Sequence, residues 1–133
     1  MTVPFSHILL VFIGGGIGSA ARYLTNLWAL ANFGPHYPWG TFAVNVVGSA
    51  LMGFLTALIL ARWTPDNGGN ELRLFFTTGI LGGYTTFSAF SLDTIVLWER
   101  GAISQMVLYV VSSIVVSFAV LAIALIGTRS WLA

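Results

Sequence analysis

The chain has 133 residues, of which 57% are hydrophobic and only 7% are charged, and its formal net charge is +1. A soluble domain carries roughly a quarter charged residues, so this composition excludes a mostly water-facing surface and indicates an integral membrane protein. The small net charge excludes a polybasic nucleic-acid surface, and the lack of cysteine excludes disulfides, thiol catalysis and cysteine metal sites.

Four apolar segments are each long enough to cross a membrane as a helix, which takes about 20 residues. The segments cover residues 8–30, 40–61, 72–98 and 102–128. We interpret the first as a retained span, because no positively charged leader region precedes it. The sequence therefore predicts an all-α membrane protein with a single four-helix transmembrane domain over residues 1–133. Because only the tripeptide "ERG" separates the last two spans, they should form a tight antiparallel hairpin.

The first span carries glycines and a charge on one helical face. Gly14, Gly18 and Arg22 recur every four residues, and small residues at this spacing let helices approach closely. This favours a packing face over a dinucleotide-binding loop, because no strand precedes the glycines. Arg22 has two open interpretations, a functional charge inside the membrane or a side chain that extends to the interface.

Polar side chains also follow one face of the second span and one face of the fourth. The second span carries Thr41, Asn45 and Ser49, and the fourth carries Tyr109, Ser113 and Ser117, each set at four-residue spacing. These groups could serve structure, through interhelical bonding by Asn45 or bonding of serine to its own helix. They could also line a pore with amide and hydroxyl donors.

The third span contains an uncharged run that includes "GGYTTFSAFS", residues 82–91. Gly82 and Gly83 each weaken a helix by about 1 kcal/mol relative to alanine. Thr85 and Thr86 follow, and their side chains compete for backbone hydrogen bonds. The stretch predicts either a glycine kink or a helix that breaks and restarts. A break would free carbonyls for a cation and would offer N–H groups to an anion.

Aromatic rings and hydroxyls alternate after the glycines. Phe87 and Phe90 lie about one turn apart, and Ser88 and Ser91 follow each by one residue. Aromatic edges carry partial positive charge, so the rings could face a small anion that sheds its water, or could simply pack or face lipid. Asp93 lies near the end of the span, which suits a proton-coupled exporter poorly because that mechanism needs a central acid.

The distribution of arginine gives little preference for one orientation in the membrane. An even number of spans puts both termini on one side. That side carries Arg62, Arg73 and Arg129, and the opposite side carries Arg100 and, if it reaches that interface, Arg22. So small a bias is consistent with insertion in both orientations, as in an antiparallel dual-topology homodimer. Four thin helices enclose little volume, so a continuous polar pathway should need a second copy.

Three blocks of sequence, "GGGIGSAAR", "WGTFAVNVVGS" and "TTGILGGYTTFSAFSLD", together resemble the fluoride channel family called Fluc or CrcB. The resemblance covers nearly the whole chain. It implies an antiparallel dual-topology homodimer, embedded as a multi-pass protein in a bacterial inner membrane. Such a dimer would export fluoride passively through two pores and so reduce fluoride toxicity. The resemblance implies a channel and no enzymatic activity.

The resemblance also implies roles for individual residues. Backbone carbonyls of Gly82 and Thr85, from both subunits, would hold a structural sodium ion at the dimer interface. The pore-lining positions would be Asn45, Phe87, Ser88, Phe90, Tyr109 and Ser113, with Thr41 and Asp93 in an accompanying polar chain. Arg22 would raise the anion concentration in a vestibule. The chain departs from the family pattern at Ala89, where threonine is usual, and at Asp93, where glutamate is usual.

Two other classes of membrane protein are alternatives to a fluoride channel. A small dual-topology multidrug or cation exporter would need a central carboxylate in the first span, where this chain has glycines and Arg22. An accessory membrane subunit would show no transport. Fluoride efflux from liposomes, measured against chloride, separates all three.

Overall fold

The computed structural model describes residues 3–133, so the first two residues of the predicted domain lie outside it. Its helices are α1 (Phe5–Phe33), α2 (Trp39–Arg62), a third span (Gly69–Glu99) and a last helix, α4 (Ile103–Leu132). Each of the four is long and apolar enough to cross a membrane. The prediction of an all-helical protein with four long apolar helices is therefore confirmed, with helix ends within four residues of the predicted bounds.

The third span is assembled from several kinds of helix. A 3-10 turn (Pro65–Asn67) precedes the span. The span itself consists of an α-helical turn (Gly69–Leu72), a π-helix (Arg73–Leu81), another α-helical turn (Gly82–Tyr84) and the helix α3 (Phe87–Glu99). Residues 69–84 are called the first half of the third span below. Long π-helices are rare, and short π segments often occur near functional sites.

Thr85 and Thr86 interrupt the helical backbone between the first half of the third span and α3. Both residues are extended, with ψ angles of 156° and 117°. Helix α3 then restarts with Thr86 as its N-cap, whose Oγ1 accepts a hydrogen bond of 3.1 Å from the amide of Ala89. Gly82 and Gly83 themselves stay helical, so the interruption follows the glycine pair by two residues.

Glycines bring α1 into close contact with the first half of the third span. Gly14 and Gly18 are buried, and a methyl group added to Gly18 would lie 2.8 Å from the amide nitrogen of Tyr84. Gly79 faces Gly14 across the same contact, with room for no side chain on either. The predicted packing face of the first span is therefore confirmed.

Helix α2 packs chiefly along α4. The largest wholly buried side chains are Val44 of α2 and Tyr109 of α4. At Gly53 the two helices approach so closely that an added methyl group would lie 3.1 Å from the backbone nitrogen of Leu125. Polar residues of the second and fourth spans are thereby held side by side.

A short turn joins α3 to α4, as the tripeptide "ERG" predicts. Gly101 has a φ angle of +73°, a conformation that glycine adopts without the steric cost of a side chain. The amides of Gly101 and Ala102 donate to the carbonyls of Trp98 and Leu97 over 2.9 and 3.0 Å, which closes the end of α3.

We expect Gly18→Ala to destabilise the protein by about 1–3 kcal/mol, because the added methyl group would overlap the backbone of the third span. Gly127→Ala is the matched control, since nothing lies within 4 Å of a methyl group there. Thermal unfolding of the purified protein in detergent measures both effects. Equal melting temperatures for the two variants would contradict the close contact.

Candidate functional site

The side-chain amide of Asn45 binds both backbone polar groups of Thr86. Asn45 Nδ2 donates to the Thr86 carbonyl over 3.0 Å, and the Thr86 amide donates to Asn45 Oδ1 over 2.8 Å. One side chain of α2 thus replaces helical hydrogen bonds at the interruption. Of the two Nδ2 hydrogens, this arrangement uses one and leaves the second free to bond elsewhere. Asn45 therefore forms the predicted hydrogen bonds between spans, and one N–H of its Nδ2 group is left to donate to another partner.

The carbonyls of Gly82 and Thr85 lose the donors that a continuous helix would provide. In an α-helix each carbonyl accepts from the amide four residues later. For Gly82 that amide belongs to Thr86 and donates to Asn45 instead; for Thr85 it belongs to Ala89 and donates to Thr86 Oγ1. Unwound backbone carbonyls of this kind coordinate sodium in membrane proteins, so the oxygens present fit such an ion.

Arg22 reaches the interruption from α1. Its Nη1 donates to the carbonyl of Thr85 over 3.3 Å. A second link from α1 lies nearby, because the hydroxyls of Thr25 and Tyr84 are 3.1 Å apart. Two polar cavities lie near α3, and within the described residues Arg22 lines neither of them. Its role in a vestibule stays a prediction.

A cavity of about 370 Å³ lies beside the interruption, between α2, α3 and α4. We call it the serine cavity. Its walls include Asn45, Ser49, Phe87, Phe90, Ser113 and Ser117. The fold thus brings together four of the predicted pore-lining residues, from three different spans. Ser49 and Ser117 join them, and their four-residue spacing from Asn45 and Ser113 was the signal in the sequence.

Two hydroxyl groups of the serine cavity have no hydrogen-bond partner among residues 3–133. They belong to Ser113, which is only 5% exposed, and to Ser117, and both oxygens are buried. A buried hydroxyl without a partner costs free energy, so a ligand or water that supplies the missing bond is favoured there. Ser112 differs, because its hydroxyl donates to the carbonyl of Tyr109 over 3.4 Å. Bonding to the helix's own backbone therefore explains Ser112 but not the other two serines.

Phe87 and Phe90 form an aromatic wall of the serine cavity. Their ring centroids are 5.6 Å apart, and the ring of Phe90 lies 5.3 Å from that of Tyr109. Phe87 is 79% exposed in the single protomer, so most of its surface is left for lipid or another chain. The wall supplies apolar surface and polarised C–H edges next to the free hydroxyls.

A second cavity, of about 400 Å³, lies where the loop between α1 and α2 meets α3. We call it the end cavity. Thr41, Ala89 and Asp93 line it, together with His36 and Arg100. The two predicted members of the polar chain, Thr41 and Asp93, are therefore brought together, and Ala89 faces this cavity instead of the serine cavity.

Tyr109 lines neither cavity within the described residues, but it contacts one residue of each, Phe90 of the serine cavity and Asp93 of the end cavity. It is wholly buried, and its hydroxyl donates to Asp93 Oδ2 over 3.2 Å. Its ring contacts Phe90 on the side of the serine cavity and the edge of Tyr37, 5.7 Å away, on the side of the end cavity. The short side chain of Asp93 is thus long enough to reach Tyr109.

Ser88 lies apart from the serine cavity. Its hydroxyl is 3.2 Å from Thr86 Oγ1, and its side chain is exposed on the protomer surface. Ser91, one turn later, donates to the carbonyl of Phe87 over 2.9 Å. The single protomer therefore does not bring Ser88 together with Ser113, and a pore-lining role for Ser88 stays a prediction.

The family model and the curated relatives that match this chain agree with one another. A protein-family model described as "CrcB-like protein, Camphor Resistance (CrcB)" matches residues 9–127. A "Fluoride-specific ion channel FluC" of Mesorhizobium japonicum is 53% identical over 109 residues, which cover 82% of this chain and 85% of that protein. Proteins of the same name from Agrobacterium fabrum and Cereibacter sphaeroides are 51% and 45% identical, over 85% and 96% of this chain and 88% and 98% of their own lengths.

We expect Asn45→Ala to destabilise the protein by about 2–4 kcal/mol, because both backbone groups of a buried Thr86 lose their partners. Hydrogen exchange should quicken at the amide of Thr86. The control is Asn32→Ala, which removes an exposed amide bonded only to its own helix, at the carbonyl of Trp28. If exchange at Thr86 is unchanged in Asn45→Ala, the amide does not hold the interruption.

Proposed function

This chain belongs to the CrcB-like family, and from that membership we propose that it is a fluoride-selective channel. Its named relatives are fluoride-specific ion channels. In this chain, the observation that carries the proposal is the pair of unpartnered buried hydroxyls, Ser113 and Ser117, in a cavity walled by Phe87 and Phe90. Neither hydroxyl has a hydrogen-bond partner within the described residues, and a small anion could accept a hydrogen bond from both.

The serine cavity has the chemistry that passage of fluoride requires. Fluoride is small and strongly hydrated, so donors must replace its water. Ser113, Ser117 and the second Nδ2 hydrogen of Asn45 can do so. No charged side chain lines this cavity within the described residues, so no fixed cation would trap the ion. Conduction needs binding that is strong enough for entry and weak enough for exit.

The polar route continues from the serine cavity past Tyr109 to the end cavity. Tyr109 contacts Phe90 of the serine cavity and donates to Asp93 of the end cavity, which Thr41 also lines. The Tyr109 hydroxyl donates to Asp93, and it could instead donate to a passing anion, because the O–H group can rotate. We infer that this residue hands the ion between the two cavities.

We infer that the working channel is an antiparallel dual-topology homodimer with two pores. A single protomer leaves Phe87 and Ser88 exposed beside an incomplete cavity, which a second copy would cover. The small bias of arginines between the two membrane faces supports insertion in both orientations. In such a dimer the interruption of the third span would lie within the membrane, where unwound backbone is tolerated only if protein or a watery cavity surrounds it.

A structural sodium ion at the dimer interface would use the carbonyls of Gly82 and Thr85 from both copies. Each protomer offers two oxygens that have lost their helical donors, so the pair would offer four. When bound, the ion would supply positive charge to these carbonyls. Asn45, and Thr86 as the N-cap of α3, would hold the backbone there in its extended conformation.

We place the channel in a bacterial inner membrane, as a multi-pass protein that exports fluoride passively and so limits its toxicity. The driving force is the accumulation of a weak acid. Neutral hydrogen fluoride enters from acidic surroundings and ionises in the less acidic cytoplasm. The channel then lets the anion leave down its gradient, without an enzymatic step or an energy-consuming cycle.

Fluoride efflux from liposomes tests the proposal, with chloride as the competing anion. The wild-type protein should release fluoride and retain chloride. No fluoride-selective efflux from well-folded dimer would contradict the proposal. Proton-coupled cation efflux in its place would favour the exporter, and no transport of any kind would favour an accessory subunit.

We expect the double change Ser113→Ala with Ser117→Ala to slow fluoride efflux by about tenfold or more. Each hydrogen bond is worth about 1 kcal/mol to the ion, and 1.36 kcal/mol is tenfold in rate. Ser112→Ala is the control on the same helix, because its hydroxyl already bonds to the backbone. Equal efflux from the double variant and the control would exclude these hydroxyls as ion ligands.

Phe87→Ile and Phe90→Ile should each reduce fluoride efflux, because an aliphatic side chain fills the wall but lacks the positive ring edge. Dimer content, measured by size-exclusion chromatography with light scattering, should not change. Phe12→Ile is the control, since Phe12 is exposed on α1 and lines neither polar cavity. Normal conduction by both cavity variants would rule out a role for the rings.

A further inference from the structure

We propose that Arg22 and sodium compete for the carbonyl of Thr85, so that Arg22 serves as the resident cation of the interruption when sodium is absent. This inference rests on the proposed sodium site and assigns a positioning role to a residue of α1. It differs from a vestibule role, because the contact is with the backbone and not with a passing anion.

The geometry of the interruption points to this competition. The Thr85 carbonyl has lost its helical donor, since the amide of Ala89 donates to Thr86 Oγ1. The donor that replaces it is the guanidinium of Arg22, at 3.3 Å. Arg22 follows Gly14 and Gly18 on the face of α1 that packs against the third span, so this packing fixes the position of its backbone. A single protomer therefore already brings a cation to a carbonyl that the sodium site would use.

Electrostatics makes the two cations alternatives. The guanidinium of Arg22 carries a positive charge, as sodium does. Two positive charges on one oxygen repel strongly where the dielectric constant is low. Within residues 3–133 the one ion pair closer than 4 Å joins His7 and Glu71, at 3.7 Å. No carboxylate therefore lies that close to the guanidinium of Arg22. Sodium binding would therefore require the guanidinium to leave the Thr85 carbonyl.

The test is a sodium titration of thermal stability in detergent, with N-methylglucamine chloride keeping the ionic strength constant. Arg22→Gln removes the charge but keeps a donor, and Arg22→Lys keeps the charge. In Arg22→Gln the sodium concentration for half-maximal stabilisation should fall by about tenfold relative to wild type. In Arg22→Lys it should stay within about threefold of wild type. Arg62→Gln, at the exposed end of α2, is the matched control and should leave the midpoint unchanged.

The outcomes separate this inference from the sodium proposal. Stabilisation of wild type by sodium, with an equal or weaker response in Arg22→Gln, would overturn the competition and leave the sodium site standing. Stabilisation of Arg22→Gln alone would overturn a sodium site in the natural protein and support Arg22 as the resident cation. No response in either protein would overturn both.

A measurement on the unchanged protein covers the case in which Arg22→Gln fails to fold. With nitrogen-15 in arginine only, the Nε signal of Arg22 should shift as sodium is added, while those of the other four arginines should not. Arg22→Lys assigns the signal by its disappearance. A spectrum that does not respond to a concentration of sodium that stabilises the protein would overturn the competition.

Discussion

The structure depends on the satisfaction of one residue's backbone groups, those of Thr86. Away from water, an unpaired amide or carbonyl costs several kcal/mol, so a helix inside a membrane cannot simply stop and restart. Asn45 removes this cost by donating to the carbonyl and accepting from the amide of the same residue. Because an amide side chain carries both a donor and an acceptor, it can replace the backbone on both sides at once.

The other features of the site follow from that bond. Since the Thr86 amide no longer serves Gly82, and the Ala89 amide caps the new helix, two carbonyls point away from helical partners. Since α3 begins afresh at Phe87, its first turn can set the two phenylalanine rings against the serines of α4. A continuous helix would provide neither the carbonyls nor this direction. The proposed cation and anion sites are thus two consequences of one interruption.

Glycine contacts place the remaining helix where it can act on the interruption. Gly14 and Gly18 allow α1 to lie against the backbone of the third span, which brings Arg22 within reach of Thr85. Gly53 does the same for α2 and α4, and so aligns Asn45 with Ser113 and Ser117. In a protein with little polar surface, close packing decides which polar groups meet.

Much of this protein could be predicted from sequence because the signals are local. Twenty-residue apolar runs determine the spans, four-residue spacing determines the glycine and serine faces, and the tripeptide "ERG" determines the hairpin. The family was also evident, since three ordered blocks carry it. Only the tertiary structure decided that the helix is interrupted at Thr85 and Thr86 instead of at the glycines, because the stabilising side-chain amide belongs to Asn45, 41 residues earlier in the chain.

The tertiary structure also decided which serine hydroxyls have a partner, since Ser112 has one while Ser113 and Ser117 have none within the described residues. It likewise decided that Ser88 lies outside the serine cavity and that Arg22 donates to a backbone carbonyl. Such outcomes depend on which groups of distant segments are within hydrogen-bonding distance, and spacing along one helix does not contain that information.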